Sequence, residues 1–228
     1  MNEYNSMSKE EQDSLGKTGS KISKSGAHLV TVDSMTEYDE SRVKIIFKDS
    51  NNMTVEYVGF LTSKDPSKLE ATVKRVMSQL TNICKAAGTD LKKVLASGKP
   101  GTETKKNGDT MDVTKYTAIA GKKLHIITYT EISADDKDAN KAWANQVVNV
   151  FQFFDTKKRN GVEISADAEV GTTMETAAEE AQARFEINYK HTANKACITK
   201  LAQLQESSYV ASGTTNAPTS QPESDDDI

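Results

Sequence analysis

A mainly β domain with helical additions (α+β) is the fold class that the sequence predicts, and three patterns predict it. Short β-branched and aromatic runs separated by turn residues open the folded region. A long apolar stripe at helical spacing follows them. Two further strand-like runs then precede an Ala/Glu-rich helical stretch.

The first strands are expected in AHLVTVDSMTEY, SRVKIIFKD and NMTVEYVGFL. In the second, Val43, Ile45 and Phe47 alternate with Arg42, Lys44, Ile46 and Lys48, so one face reads as core and the other as basic. DSNN (Asp49 to Asn52) supplies a hairpin turn before the third. Asp65-Pro66-Ser67 then opens a helix carrying Leu69, Val73, Val76, Met77, Leu80, Ile83, Cys84 and Ala87 on one stripe. Gly88 ends it, and TDLKKVLASG predicts a second short helix from about residue 90. Gly98 to Thr110 reads as a loop by composition. Strands resume at KLHIITYTEI (residues 123–132) and NQVVNVFQFFD (residues 145–155). The segment METAAEEAQARFEI, from about 172, and HTANKACITKLAQLQ read as C-terminal helices. Three strands, a helix and two more strands is the order of an OB-type five-stranded barrel.

The ends differ from the middle. Residues 1–25 and 207–228 are polar, small and poor in large apolar side chains, the composition of disordered tails flanking a domain at 26–206. The net charge of −4 resides in the last segment, whose only charges are Glu223, Asp225, Asp226 and Asp227. The rest of the chain is balanced, so it can present a basic face that an acidic tip could cover. No run approaches the roughly 18 apolar residues of a membrane span, and MNEYNSMSKEEQDSLG lacks a secretory core. The expectation is a cytoplasmic protein with no membrane partner. Cys84 and Cys197 lie in helix-like segments without metal-ligand spacing, which makes them buried or reduced thiols.

Catalytic signatures are sparse. His28, His125 and His191 are isolated, and no nucleophile elbow, phosphate-binding glycine loop or zinc-protease helix occurs. Asp33, Glu37, Asp39 and Glu40, like Asp135, Asp136 and Asp138, fall in turn-like sequence where Asp serves local backbone hydrogen bonds. The chain is expected not to be an enzyme and to need no cofactor or metal. A divalent-metal nuclease, and a phage structural or assembly protein that binds only protein, are the alternatives.

Aromatics interleaved with bases are the positive signal. NVFQFFDTKKRNG joins Phe151, Phe153 and Phe154 to Lys157, Lys158 and Arg159. Trp143 stands near Lys141, Lys122 and Lys123 open the strand bearing Tyr129, and Tyr57 and Phe60 follow the Arg42/Lys44/Lys48 face. Single-stranded nucleic acid asks for this mixture: cations for the phosphates and ring faces for unpaired bases. Alternation sends Phe151 and Phe153 to one face and Phe154 to the other, so part of this cluster belongs to the core.

SGAHLVTVDSMTEYDESRVKIIFKD, ICKAAGTDLKKVL, IAGKKLHIITYTEI and NVFQFFD together resemble phage-encoded single-stranded DNA-binding proteins, over roughly residues 25–155. The closing Ser-Asp-Asp-Asp-Ile is similar to the acidic tips of bacterial and phage members, but it stops at Ile228 without a Pro-Phe finish. The resemblance implies an OB-type fold and sequence-tolerant coating of single strands during phage DNA replication or recombination in the infected host cell. It also implies recruitment of replication or recombination proteins through Asp225, Asp226, Asp227 and Ile228. The candidate phosphate contacts are then Arg42, Lys44, Lys48, Lys122, Lys123, Lys157, Lys158 and Arg159, and the candidate stacking platforms Tyr57, Trp143 and Phe154. Residues 172–205 either pack on the barrel or mediate self-association, so a homo-oligomer is compatible with the sequence.

Overall fold

The alternation in Arg42–Lys48 sets the phase of the whole sheet. In the computed structural model, which describes residues 21–38, 41–104, 108–135, 137–156 and 173–213, this run is strand β2, with Val43, Ile45 and Phe47 buried. It is flanked by β1 (Gly26–Tyr38) and β3 (Thr54–Phe60), both antiparallel to it. The β2–β3 turn is built by Asp49, whose Oδ1 accepts the N–H groups of Asn51 and Met53, each at 2.8 Å. Asn52 takes a left-handed φ of 63° there, a conformation that Asn tolerates better than most residues. The turn couples Lys48 to Thr54 and, six residues along, Arg42 to Phe60.

β1 is irregular between Val32 and Ser34. The extra residue, Asp33, shifts the inward positions from Val30 and Val32 to Met35, so both halves of a long strand keep their apolar side chains in the core. The bulge lets β1 serve different partners. Gly26–Thr31 pairs with β6 (Lys123–Ala134), and Thr36–Tyr38 pairs with β5 (Thr110–Tyr116).

The segment expected as a loop at Gly98–Thr110 is instead the start of a hairpin. β4 (Gly98–Thr104) pairs with β5 in full register from Gly98↔Tyr116 to Thr104↔Thr110. Composition misleads here because β4 is an edge strand, where Pro100 loses no ladder bond on its outer side. Pairing runs β3-β2-β1-β5-β4, with β6 joined to β1 and to β7 (Ala142–Phe154), and the antiparallel sheet is open. The structure is thus α+β and mainly β, with eight named strands among the described residues where five are expected.

The expected helices form where their caps sit. Asp65 accepts the Ser67 N–H at 3.0 Å and opens a 3-10 turn at Pro66–Lys68, which leads into α1 (Leu69–Ala86). Gly88, at φ 68°, closes that end. Asp90 caps α2 (Leu91–Ala96) through the N–H groups of Lys92 and Lys93. α1 buries Val76, Leu80, Ile83 and Cys84 against the inward face of the sheet, including Val55, Tyr57 and Phe153. Ile22, on the tail side of the expected boundary at 25, belongs to the same core and donates its N–H to Thr54 O at 3.0 Å.

α3 (Met174–Gln182) covers part of the opposite face, laying Met174, Ala177 and Ala181 on Ile127 and Phe154. The chain divides into two units, 1–131 with 145–184, and 132–144 with 185–228. In the second unit, Phe185–Ile187, expected as helix, is strand β8, and the Asn188 N–H reaches Ile132 O at 2.8 Å. α4 (Lys195–Gly213) carries the buried Cys197 and runs past the expected tail boundary at 207.

Candidate nucleic-acid interface

The outward face of the first unit gathers the cations that alternation predicts on β2. Pairing places them in rows. Phe60, Arg42 and Tyr38 stand side by side on β3, β2 and β1, with Val113 next on β5. One step along, Val58, Lys44, Thr36, Lys115 and Lys99 cross five strands, a span of about 19 Å at ordinary strand spacing. Further along, Thr54, Lys48, Thr31 and Lys123 form a third row. Along β2 the first two rows lie about 6.7 Å apart and the third about 13 Å beyond them.

Charge on this face is largely uncompensated. Lys48 reaches Asp33 at 3.9 Å. No described carboxylate lies within ion-pairing distance of Arg42, Lys44, Lys99, Lys115 or Lys123. Glu56, on β3 beside Ile46, and Glu103, on β4, also share the face, and Glu103 accepts the Tyr38 hydroxyl at 2.7 Å. Arg42 and Lys44 lie over the Tyr38 ring, 4.8 and 5.6 Å from its centroid. Phe60 is 57% exposed at the β3 end, and Leu29 on β1 is also exposed.

The structure therefore brings together Arg42, Lys44, Lys48 and Lys123 from the expected set. Lys122 is exposed in the turn ahead of β6, where its carbonyl accepts the Val32 N–H at 2.8 Å. Tyr57 corrects the expectation of a stacking platform: it is 2% exposed and donates to Gln79 Oε1 at 2.8 Å. Burial accordingly holds its phenol well above the ordinary range. Phe154 is a second correction, because α3 covers it on the face that alternation alone leaves open. Trp143 lies in the second unit. It is exposed and held by its indole N–H on Asp135 Oδ2 at 2.7 Å, a bond that lowers the Asp135 pKa. Lys157, Lys158, Arg159 and the tip Asp225, Asp226, Asp227 and Ile228 lie outside the described residues.

Lys99 and Lys115 share this face but were absent from the sequence reading, and Phe60, noted there beside Tyr57, was not among the candidate stacking platforms. Phe60 follows from carrying the β2 alternation through the Asp49 turn, which makes Val55, Tyr57 and Gly59 inward and Val58 and Phe60 outward. Lys99 and Lys115 carry no such signal, since their strands are recognisable only as partners of each other and of β1. Among the described residues, no three His, Cys, Asp or Glu side chains converge to hold a metal ion, and no helix is long and apolar enough to cross a membrane. Neither the protein-family models nor the curated proteins contain a match to this chain.

Proposed function

We propose that this chain is a non-catalytic, sequence-tolerant single-stranded DNA-binding protein that acts in phage DNA replication or recombination. One observation carries the reading. A sheet with a mainly apolar inner side presents cations in rows on its outer side, Lys48 alone among them within reach of a described carboxylate, with the exposed Phe60 ring at one end. Cations at strand spacing suit a flexible polyanion, and an exposed ring accepts any base. Base-specific reading of duplex DNA calls instead for a helix or ribbon of side chains directed at base edges.

The finer reading is an OB-type barrel made of β1, β2, β3, β6 and β7, with α1 between the third and fourth and β4–β5 inserted ahead of β6. Its support is the bulged β1 shared between neighbours, together with a single core containing Val55 and Tyr57 of β3 and Val148 and Phe153 of β7. In the same proposal, the acidic tip competes weakly for the basic face and recruits replication or recombination proteins once DNA displaces it.

The test is an anisotropy titration of a labelled oligo-dT at several salt concentrations, comparing the full chain with one ending at Gly213, the end of α4. If all six cations Arg42, Lys44, Lys48, Lys99, Lys115 and Lys123 meet phosphates, log K falls against log salt with a slope of about −4. Tighter binding on truncation supports the competing tip. Absence of binding by both forms at low salt refutes the function and favours a phage structural or assembly protein that binds only protein. Magnesium-dependent degradation of the oligonucleotide favours the nuclease.

A further inference from the structure

We propose that Tyr38 is a positioning residue of the interface, a buried aromatic cushion that holds Arg42 and Lys44 ready to receive phosphates. The inference rests on the single-strand-binding reading and adds to it the means by which two of its cations are ordered before DNA arrives.

Tyr38 lies on the solvent side of the sheet yet is only 4% exposed. Its cross-strand neighbours are Arg42 on β2 and the buried Val113 on β5. The hydroxyl reaches two strands away, donating to Glu103 Oε2 at 2.7 Å. The ring is thus anchored through its backbone at one end and its oxygen at the other. Arg42 and Lys44 meet its face, 4.8 and 5.6 Å from the centroid. An aromatic face attracts a cation through its quadrupole without neutralising it. Lys48, by contrast, is directed to a carboxylate, Asp33, at 3.9 Å. Long cationic side chains lose much rotamer freedom when fixed, so ordering two of them in advance removes part of the entropy lost on binding.

A purely structural role for Tyr38, as a clip between β1 and the β4–β5 hairpin, depends on the hydroxyl and Glu103. The cushion depends on the ring. Tyr38→Phe keeps the ring and loses the clip; Tyr38→Leu loses both. Full-length wild type and both variants are titrated with labelled oligo-dT across a salt series. In the free proteins, proton NMR reads the shifts of the Arg42 δ-methylene and Lys44 ε-methylene groups, which a nearby ring face moves upfield.

Tyr38→Phe is expected to bind within about twofold of wild type, and Tyr38→Leu roughly 3- to 30-fold more weakly. The salt slope of Tyr38→Leu is expected to stay unchanged, because both cations remain to meet phosphates. The upfield shifts are expected in wild type and Tyr38→Phe and lost in Tyr38→Leu. Equal weakening by both substitutions assigns Tyr38 to the clip and overturns the proposal. Wild-type affinity in Tyr38→Leu overturns it too, as does the absence of upfield shifts in free wild type, and both outcomes leave the DNA-binding reading standing. Wild type that does not bind at low salt overturns the reading and the proposal together.

Discussion

Replacing Phe60 by Ala, beside Tyr57 by Phe, separates the outer face of β3 from its inner face. Phe60 is 57% exposed, so truncation forfeits less than half of what a core phenylalanine supplies. From the 3–5 kcal/mol typical of buried Phe→Ala, the expected stability loss is about 1–2 kcal/mol. If a base stacks on the ring, binding loses about 1–3 kcal/mol, or roughly 5- to 150-fold in Kd. Tyr57→Phe reverses the pattern. It removes the 2.8 Å bond to Gln79 Oε1 and leaves that buried oxygen without its donor. The expected destabilisation is about 1–3 kcal/mol, with affinity for oligo-dT unchanged. Urea unfolding followed by far-UV circular dichroism reads stability, and anisotropy at fixed salt reads affinity. A Phe60→Ala protein that binds as wild type, or a folded Tyr57→Phe protein that does not bind, would refute the assignment of faces.

Other expectations follow from single contacts. Lys99→Gln and Lys115→Gln should each weaken oligonucleotide binding and flatten the salt slope by about 0.7; an unchanged slope would remove the β4–β5 hairpin from the path. Gly59→Ala should destabilise by about 1–3 kcal/mol in thermal or urea unfolding, because a Cβ there would stand 2.7 Å from both Tyr57 Oη and Val76 Cγ1. His28 is held below its ordinary pKa of 6.5 chiefly by burial, although its Nε2 bond to Lys24 O acts the other way. The unfolded chain therefore takes up the proton first. Stability from this group is complete above about pH 6.5 and is lost as pH falls through the folded pKa, so Tm should decline in that window and decline less in His28→Gln. The lowered carboxyl groups Asp65 and Asp135 act in a separate, more acid window, below their ordinary 3.8. Burial pushes the Cys84 thiol up to about 12 and raises Cys197 as well; both should resist a thiol-exchange reagent in native buffer and react once urea is added.

Legibility in the sequence followed the range of the interactions. Elements whose cause is local were readable: Val43, Ile45 and Phe47 alternating with bases, Asp49 at the hairpin, and Asp65 and Asp90 opening helices that bury an apolar stripe. The same alternation located Arg42, Lys44 and Lys48 on one face. Each of these depends on residues within a turn or two of one another, so their side-chain pattern states their geometry.

What only the tertiary structure decided depends on partners distant in the chain. Gly98–Thr104 has the composition of a loop and becomes a strand because β5, itself seated on β1, supplies its hydrogen bonds. Phe154 alternates outward from the buried Phe153 and is nevertheless covered, since α3 returns to the sheet there. Phe60 rather than Tyr57 faces solvent because the Asp49 turn fixes the register, and a one-residue slip would exchange them. The sequence by itself determined that one strand is basic on one side. The pairing of β1 with β2, β5 and β6 decided which other residues share that side, because cross-strand neighbours are set by register and not by proximity in the chain.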